Sequence, residues 1–216
     1  MNVLAPKFQA LLKPHGKRIT SFTEQDIKNE PMLYSADPHF AWRNGGPLTK
    51  AVLSQYVMDP DANIIIDTRV HMLKPGWFPA IPGWHLDAIE RGPDGQPDLS
   101  CDTVDGHVLC IIDAGTGSET EVLQNPPALP LTAPEGVNLW AEHDRLIEEA
   151  SEPLFTRRLN SGVIDGMTPS ASPRAAPATD HGWRFLFRAT VGYPRAPHNE
   201  IRRQVNVYLN AINGGW

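Results

Sequence analysis

Proline and glycine set the tightest limit on this chain. The 21 prolines and 17 glycines are spread along all 216 residues, and each proline removes a backbone donor and fixes φ, so long helices have nowhere to form. What remains is short strands separated by turns, with a few short helices. Helical spacing singles out residues 5–13, residues 47–57 (PLTKAVLSQYV), which open on proline, and residues 138–150 (NLWAEHDRLIEEA) behind an Asn cap. Strands are expected at 63–73 (NIIIDTRVHML), 107–114, 120–124, 182–193 (GWRFLFRATVGY) and 202–210 (RRQVNVYLN), where β-branched residues or strict alternation dominate. Residues 160–181 read as a strand end followed by a long loop. Strand runs with helices toward the N-terminus favour a jelly roll or β-sandwich over βαβ units. The expected organisation is a single domain over 1–216, with a helical and loop segment over 1–60 and a jelly-roll core over 61–210.

Composition excludes several classes of function. A net charge of −6 and a pI near 5.7 argue against broad binding to a phosphate backbone, although arginines 184, 188, 195, 202 and 203 make the last third locally basic. No run of apolar residues is long enough to span a bilayer, and the N-terminus lacks the order of a signal peptide, so a cytoplasmic location is expected. Two cysteines, Cys101 and Cys110, are too few for a disulfide framework and read as buried thiols. No Walker, dinucleotide-binding, nucleophile-elbow or CxxC motif occurs, and Asp94-Gly95 is a turn signal.

The chemistry concentrates in two stretches. PGWFPAIPGWHLD, residues 75–87, ends in a His-x-Asp pair. In an extended segment His85 and Asp87 share a face, since side chains alternate with period two. They are either two ligands of a metal site or the polar end of a stiff loop. Trp77 and Trp84 either pack this loop or line a substrate mouth, and His71 either sits in the core or faces the same cavity. In GWRFLFRAT, Arg184 and Arg188 share one strand face, and Phe185 and Phe187 the other. Two inward arginines in a β core are costly unless they meet an anion, whereas on an outer face they are simply solvated.

A HxD pair after a Pro/Gly-rich strand, followed by an R-x-x-x-R-A-T strand near the C-terminus, resembles the Fe(II)/2-oxoglutarate-dependent dioxygenases over roughly residues 63–193. The resemblance implies a double-stranded β-helix with N-terminal helices, Fe(II) and 2-oxoglutarate as cofactors, and oxidation of a substrate C–H bond. It makes His85 and Asp87 iron ligands, has Arg184 grip the far carboxylate of 2-oxoglutarate with help from Thr120, and places Arg188 near co-substrate or substrate. The chain departs from the family at the distal histidine, where Pro173 stands in SPRAAPA. Three arrangements follow: His181 reaches the metal, two protein ligands serve alone, or the site is lost. The last leaves a jelly-roll binding or structural module. The substrate is open among a small molecule, an amino-acid side chain and a flipped base, and exposed strand edges make a homodimer plausible.

Overall fold

The computed structural model describes residues 13–209 apart from 57, 60, 99–103, 125, 126, 128, 152, 169 and 170. The chain begins with β1 (Lys13–His15), α1 (Glu24–Asn29), β2 (Met32–Tyr34), α2 (Pro38–Asn44) and α3 (Pro47–Leu53). It continues with β3 (Ile64–Leu73), β4 (Gly106–Ala114), β5 (Thr120–Leu123), α4 (Leu139–Glu148), β6 (Thr156–Arg158), β7 (Ile164–Met167), β8 (Ser172–Ala175), β9 (Gly182–Val191) and β10 (Glu200–Arg202).

Two antiparallel sheets build the body. The larger has the order β1-β7-β4-β9-β3, and the smaller the order β6-β5-β8. The segment from Ile81 to His85 runs beside β8: the Ala175 N–H donates to Ile81 O and the His85 N–H to Pro173 O, both at 3.4 Å. From β3 onward the chain therefore crosses back and forth between the two sheets, which makes a double-stranded β-helix. This is the expected jelly-roll class.

Alternation along β3 and β9 divides the core. Ile64, Ile66 and Val70 of β3, with Phe185, Phe187 and Ala189 of β9, face the helical layer and pack with Ile27, Leu33, Ala41, Leu48 and Val52. Fully burying each large side chain contributes about 1.5–3 kcal/mol, so this outer face carries much of the stability. Short helices can serve there because each has its end groups satisfied. Thr23 and Asp26 form a capping box on α1, and Asp37 Oδ1 accepts the Phe40 N–H at 2.7 Å on α2. Gly46 gives α3 no side-chain cap; instead the buried Glu30 carboxylate accepts the Gly46, Leu48 and Thr49 N–H groups at 2.9–3.0 Å. Asn138 caps α4, as its position in the sequence suggests.

The structure corrects several expected boundaries. The 47–57 helix ends at Leu53, and most of the 5–13 segment lies outside the described residues, with Lys13 opening a strand instead. The 202–210 strand is reduced to Arg202 at the end of β10 and a lone bridge between Tyr208 and Phe78. Its alternation is genuine, but β-propensity produces a strand only where a partner forms a ladder. Conversely, residues 160–181 contain β7 and β8. Gly166 and Pro173 hide these strands from pattern reading, since both are poor strand formers outside edges and special positions. Helices α1 and α2 are too short for periodicity to reveal. Among the described residues, no helix is long and apolar enough to cross a membrane.

Candidate functional site

The inner faces of β3 and β9 are polar where their outer faces are apolar. In register, Asp67 lies opposite Arg188, Arg69 opposite Leu186, and His71 opposite Arg184. Asp67, Arg69, Arg184, Leu186 and Arg188 of these rows form one wall of a cavity of about 250 Å³ between the two sheets, closed on the other side by Ile81, His85, Asp87, Thr120 and Pro173. The β-helix thus brings residues 67–69, 81–89, 120, 173–175 and 184–188 to one place.

Arg184 is 2% exposed. Its Nε donates to Ser118 O and its Nη2 to Thr120 Oγ1, both at 3.0 Å. Both acceptors are neutral, so the charge itself meets no counterion in contact among the described residues. Asp113 lies across the strand pair from it, but that carboxylate is occupied by the N–H groups of Thr116 and Gly117 at 3.2 and 3.0 Å. Burial, reinforced by the nearby charge of Arg69 and opposed by Asp113, brings the Arg184 guanidinium down to about 10.

Arg188 has the opposite surroundings. Nη2 donates to Asp67 Oδ2 at 3.0 Å and Nη1 to Asp87 Oδ1 at 3.3 Å. Burial alone would raise the Asp87 carboxyl, but Arg188, His85, His107 and Arg69 together hold it down at about 2. Asp67 is likewise lowered against its burial, by Arg188 and by the Ser35 N–H. Arg69 lines the cavity yet makes no hydrogen bond or ion pair among the described residues, and burial with the Arg188 and Arg202 charges lowers its basicity against the opposing pull of Asp67 and Asp87. Apart from Arg174, which is paired with Glu121 and Glu148, three guanidiniums therefore face two carboxylates. Arg188 bonds both carboxylates, which leaves Arg184 and Arg69 with no carboxylate in contact among the described residues.

His85 and Asp87 stand side by side, with Nε2 3.7 Å from Asp87 Oδ1. The Nδ1 of His85 lies 2.8 Å from Gly83 O, so this nitrogen carries the proton and Nε2 turns toward the carboxylate. These two positions suit a divalent metal. The third does not: Pro173 lines the cavity directly beside His85 and offers no donor side chain. Asp87 Oδ1, the oxygen facing His85, is already taken by a guanidinium. Among the described residues, no three His, Cys, Asp or Glu side chains are grouped to hold a metal ion. The donor set does not fit a facial triad of two histidines and a carboxylate.

The remaining candidates from the sequence divide clearly. Thr120, Arg184 and Arg188 meet in the cavity with His85 and Asp87. His181 does not; it is exposed at the start of β9, with its N–H on Asp180 Oδ1 at 2.7 Å. Trp84 is 1% exposed and packs with Leu123, Leu129 and Ile147, its Nε1 donating to Glu148 and Arg174 lying over its ring at 4.3 Å. Trp77 sits in the turn after β3 beneath Lys74. Neither tryptophan lines the cavity. His71 is 1% exposed, beneath the lining, and burial with the Arg184 and Arg69 charges lowers it to about 3, against a small opposing pull from the Asn206 backbone. Neither of its ring nitrogens has a well-formed hydrogen bond among the described residues. His143, on α4, is a buried core histidine with Nε2 2.7 Å from Pro130 O. Cys110 is a buried free thiol pushed up to about 12 by burial, and Cys101 lies outside the described residues.

Sequence reasoning missed Asp67 and Arg69 as cavity residues. Their signal was present in the period-two series Asp67, Arg69, His71, which shares a face on any strand.

No family model matches this chain, and no curated protein matches it. Among solved structures it is similar to AviO1 from Streptomyces viridochromogenes Tue57, at 14% identity over 89% of this chain and 94% of that one, with a TM-score of 0.44. It is also similar to HygX from Streptomyces hygroscopicus. The apo form gives 12% identity over 87% of this chain and 83% of that one, with a TM-score of 0.43. The iron-bound form gives 11% identity with the same coverage, 87% and 83%, and a TM-score of 0.40.

Proposed function

We propose that this chain binds a small carboxylate of the 2-oxoglutarate class between the sheets of its β-helix, and that its His85–Asp87 pair is not a complete metal centre. One observation carries the reading: Arg184 and Arg69 are inward-facing cations without a counterion in contact, in a cavity whose carboxylates are both held by Arg188. Burying a charge in that state is unfavourable unless an anion joins it. A planar guanidinium beside a hydroxyl, as in Arg184 with Thr120, matches the geometry of a carboxylate. Pro173 beside His85 supports the loss of the third ligand position.

A second reading, an iron oxygenase acting with two protein ligands, is favoured by the anchoring of His85 Nδ1 on Gly83, which turns Nε2 toward Asp87. Bound Fe(II) would then supply oxygen activation for oxidising a substrate C–H bond, with Arg184 and Thr120 holding the co-substrate.

Calorimetry with 2-oxoglutarate in metal-free buffer, together with a succinate assay in added Fe(II), separates the two. The expected result is binding without metal, weakened about a hundredfold in Arg184→Gln, and no succinate above a protein-free control. Succinate formed by the parent and not by His85→Ala establishes the oxygenase reading instead. No binding of 2-oxoglutarate under either condition sinks both.

A further inference from the structure

A second cavity of about 270 Å³ backs onto the first across the Arg188–Asp67 pair; the two share Asp67, Ala88 and Arg188. Its other walls come from Tyr34, Ser35, His198 and Arg202, with Arg195 and Tyr193 at its rim. Three arginines line it against one aspartate, and that aspartate is bonded to Arg188 at 3.0 Å. Arg195 is paired with Glu90 at 2.9 Å. Arg202 has no carboxylate partner among the described residues. Its guanidinium lies 3.7 Å above the Tyr34 ring and makes no hydrogen bond or ion pair among the described residues. The ring holds the guanidinium in place while leaving its N–H edge available.

The backbone around this cavity is held in an unusual state. Among the described residues, three non-glycine residues have positive φ: Ser35 at 46°, Ala88 at 57° and Asn199 at 57°. Ser35 and Ala88 line the cavity, and the His198 and Asn199 N–H groups donate to Ser35 O at 2.8 and 3.0 Å. Asn199 is itself tied to Asp37 by Nδ2 donation at 2.8 Å and by accepting the Asp37 N–H at 2.8 Å. Left-handed conformations in such residues persist only where surrounding bonds enforce them, and they collect at ligand-holding sites. Here they fall on the loops that present Arg202 and the Arg188–Asp67 wall.

We infer that this second cavity is an oxyanion subsite, taking the phosphate or carboxylate group of a small-molecule ligand between Arg202 and Arg188, on the side of the Arg188–Asp67 pair away from Arg184. The inference does not depend on what the first cavity binds. Arg202 supplies the free charge, Arg188 the shared wall, and the hydroxyls of Ser35 and Tyr34 line the same space.

The test is a titration of ¹⁵N-labelled protein with inorganic phosphate and, separately, with acetate, following the Arg202 Nε–H and the Ser35 and Ala88 amide signals. Saturable movement of these signals by either ion is expected. The ion that saturates at lower concentration identifies phosphate or carboxylate as the recognised group. Arg202→Gln should weaken that binding roughly tenfold, whereas Arg184→Gln should leave it unchanged. If neither ion moves the signals saturably, the inference fails on the parent spectra alone, whatever the variants do. It fails equally if Arg184→Gln abolishes the effect while Arg202→Gln preserves it, because the anion would then occupy the first cavity. Thermal unfolding of each variant confirms that the compared proteins are folded.

Discussion

Consecutive residues of β9 enter two different chemical worlds. Phe185, Phe187 and Ala189 point outward into the helical layer and are fully buried among aliphatic side chains. Arg184 and Arg188 point inward, Arg184 fully buried and Arg188 partly so, among Asp67, Arg69, Asp87 and Thr120. Both faces are largely removed from solvent, but only the outer one is internally satisfied. On the inner face charge exceeds countercharge, His71 is held neutral, and Arg188 Nε is buried without a hydrogen-bond partner among the described residues. A strand that spends one face on closure and leaves the other incomplete divides stability from binding by side-chain parity.

Substitutions on the two faces should therefore have opposite signatures. The largest effect is expected for Phe187→Ala, which leaves a cavity in the helical layer and should cost about 3–5 kcal/mol of unfolding free energy. Chemical denaturation measures that loss, and at temperatures where the variant stays folded its affinity for 2-oxoglutarate should be unchanged. A large affinity loss would break the division. Next is Arg184→Met, which keeps the volume and removes the charge. Affinity for 2-oxoglutarate should fall about a hundredfold, while stability stays level or rises, because a buried cation without a contacting counterion is relieved. A drop in stability matching that of Phe187→Ala would mean that Arg184 is structural.

The inner face should also reveal itself by pH. His71 is lowered by burial and by Arg184 and Arg69 to about 3, whereas in the unfolded chain it titrates near its ordinary value of 6.5. Between these values the unfolded state binds the additional proton, so stability is full above the unfolded value and falls as pH drops below it. The share from His71 alone should reach about 2 kcal/mol by pH 5, and His71→Leu should flatten the decline in denaturant midpoint by that amount. An unchanged slope would place His71 in a less buried or better compensated environment. The smallest effect is expected at position 173. Pro173→His supplies a donor side chain beside His85 and should raise Mn(II) affinity at least roughly tenfold over the parent, read by the loss of free-ion EPR signal. No gain would mean that Arg188, by holding Asp87, excludes the metal regardless of the third ligand.

How far this division could be read from the chain depends on which contacts are local. Alternation alone set Arg184 and Arg188 apart from Phe185 and Phe187, and the HxD spacing put His85 and Asp87 on one face. The resemblance to the dioxygenases brought these two stretches and Thr120 together, and Pro173 lies beside His85 as counting back from Arg184 suggests. Strand parity does not say which face is inner, so the roles of Asp67 and Arg69 had to wait for the pairing of β3 with β9. Trp84 was ambiguous for a similar reason: Arg174 and Glu148, distant in sequence, take up its ring and its N–H. The second cavity left no periodic trace, because it depends on three single-residue backbone conformations at Ser35, Ala88 and Asn199. Short elements such as α1 and β8 were hidden because capping and pairing hold them rather than propensity.

The central claim is that the inner face is completed by an anion and not by a metal. Calorimetry of 2-oxoglutarate binding in chelator and in saturating Mn(II) tests it most directly. The two dissociation constants should agree within about threefold, since Arg184, Thr120 and Arg69 supply the attraction in both cases. Binding that appears only when Mn(II) is present would contradict it.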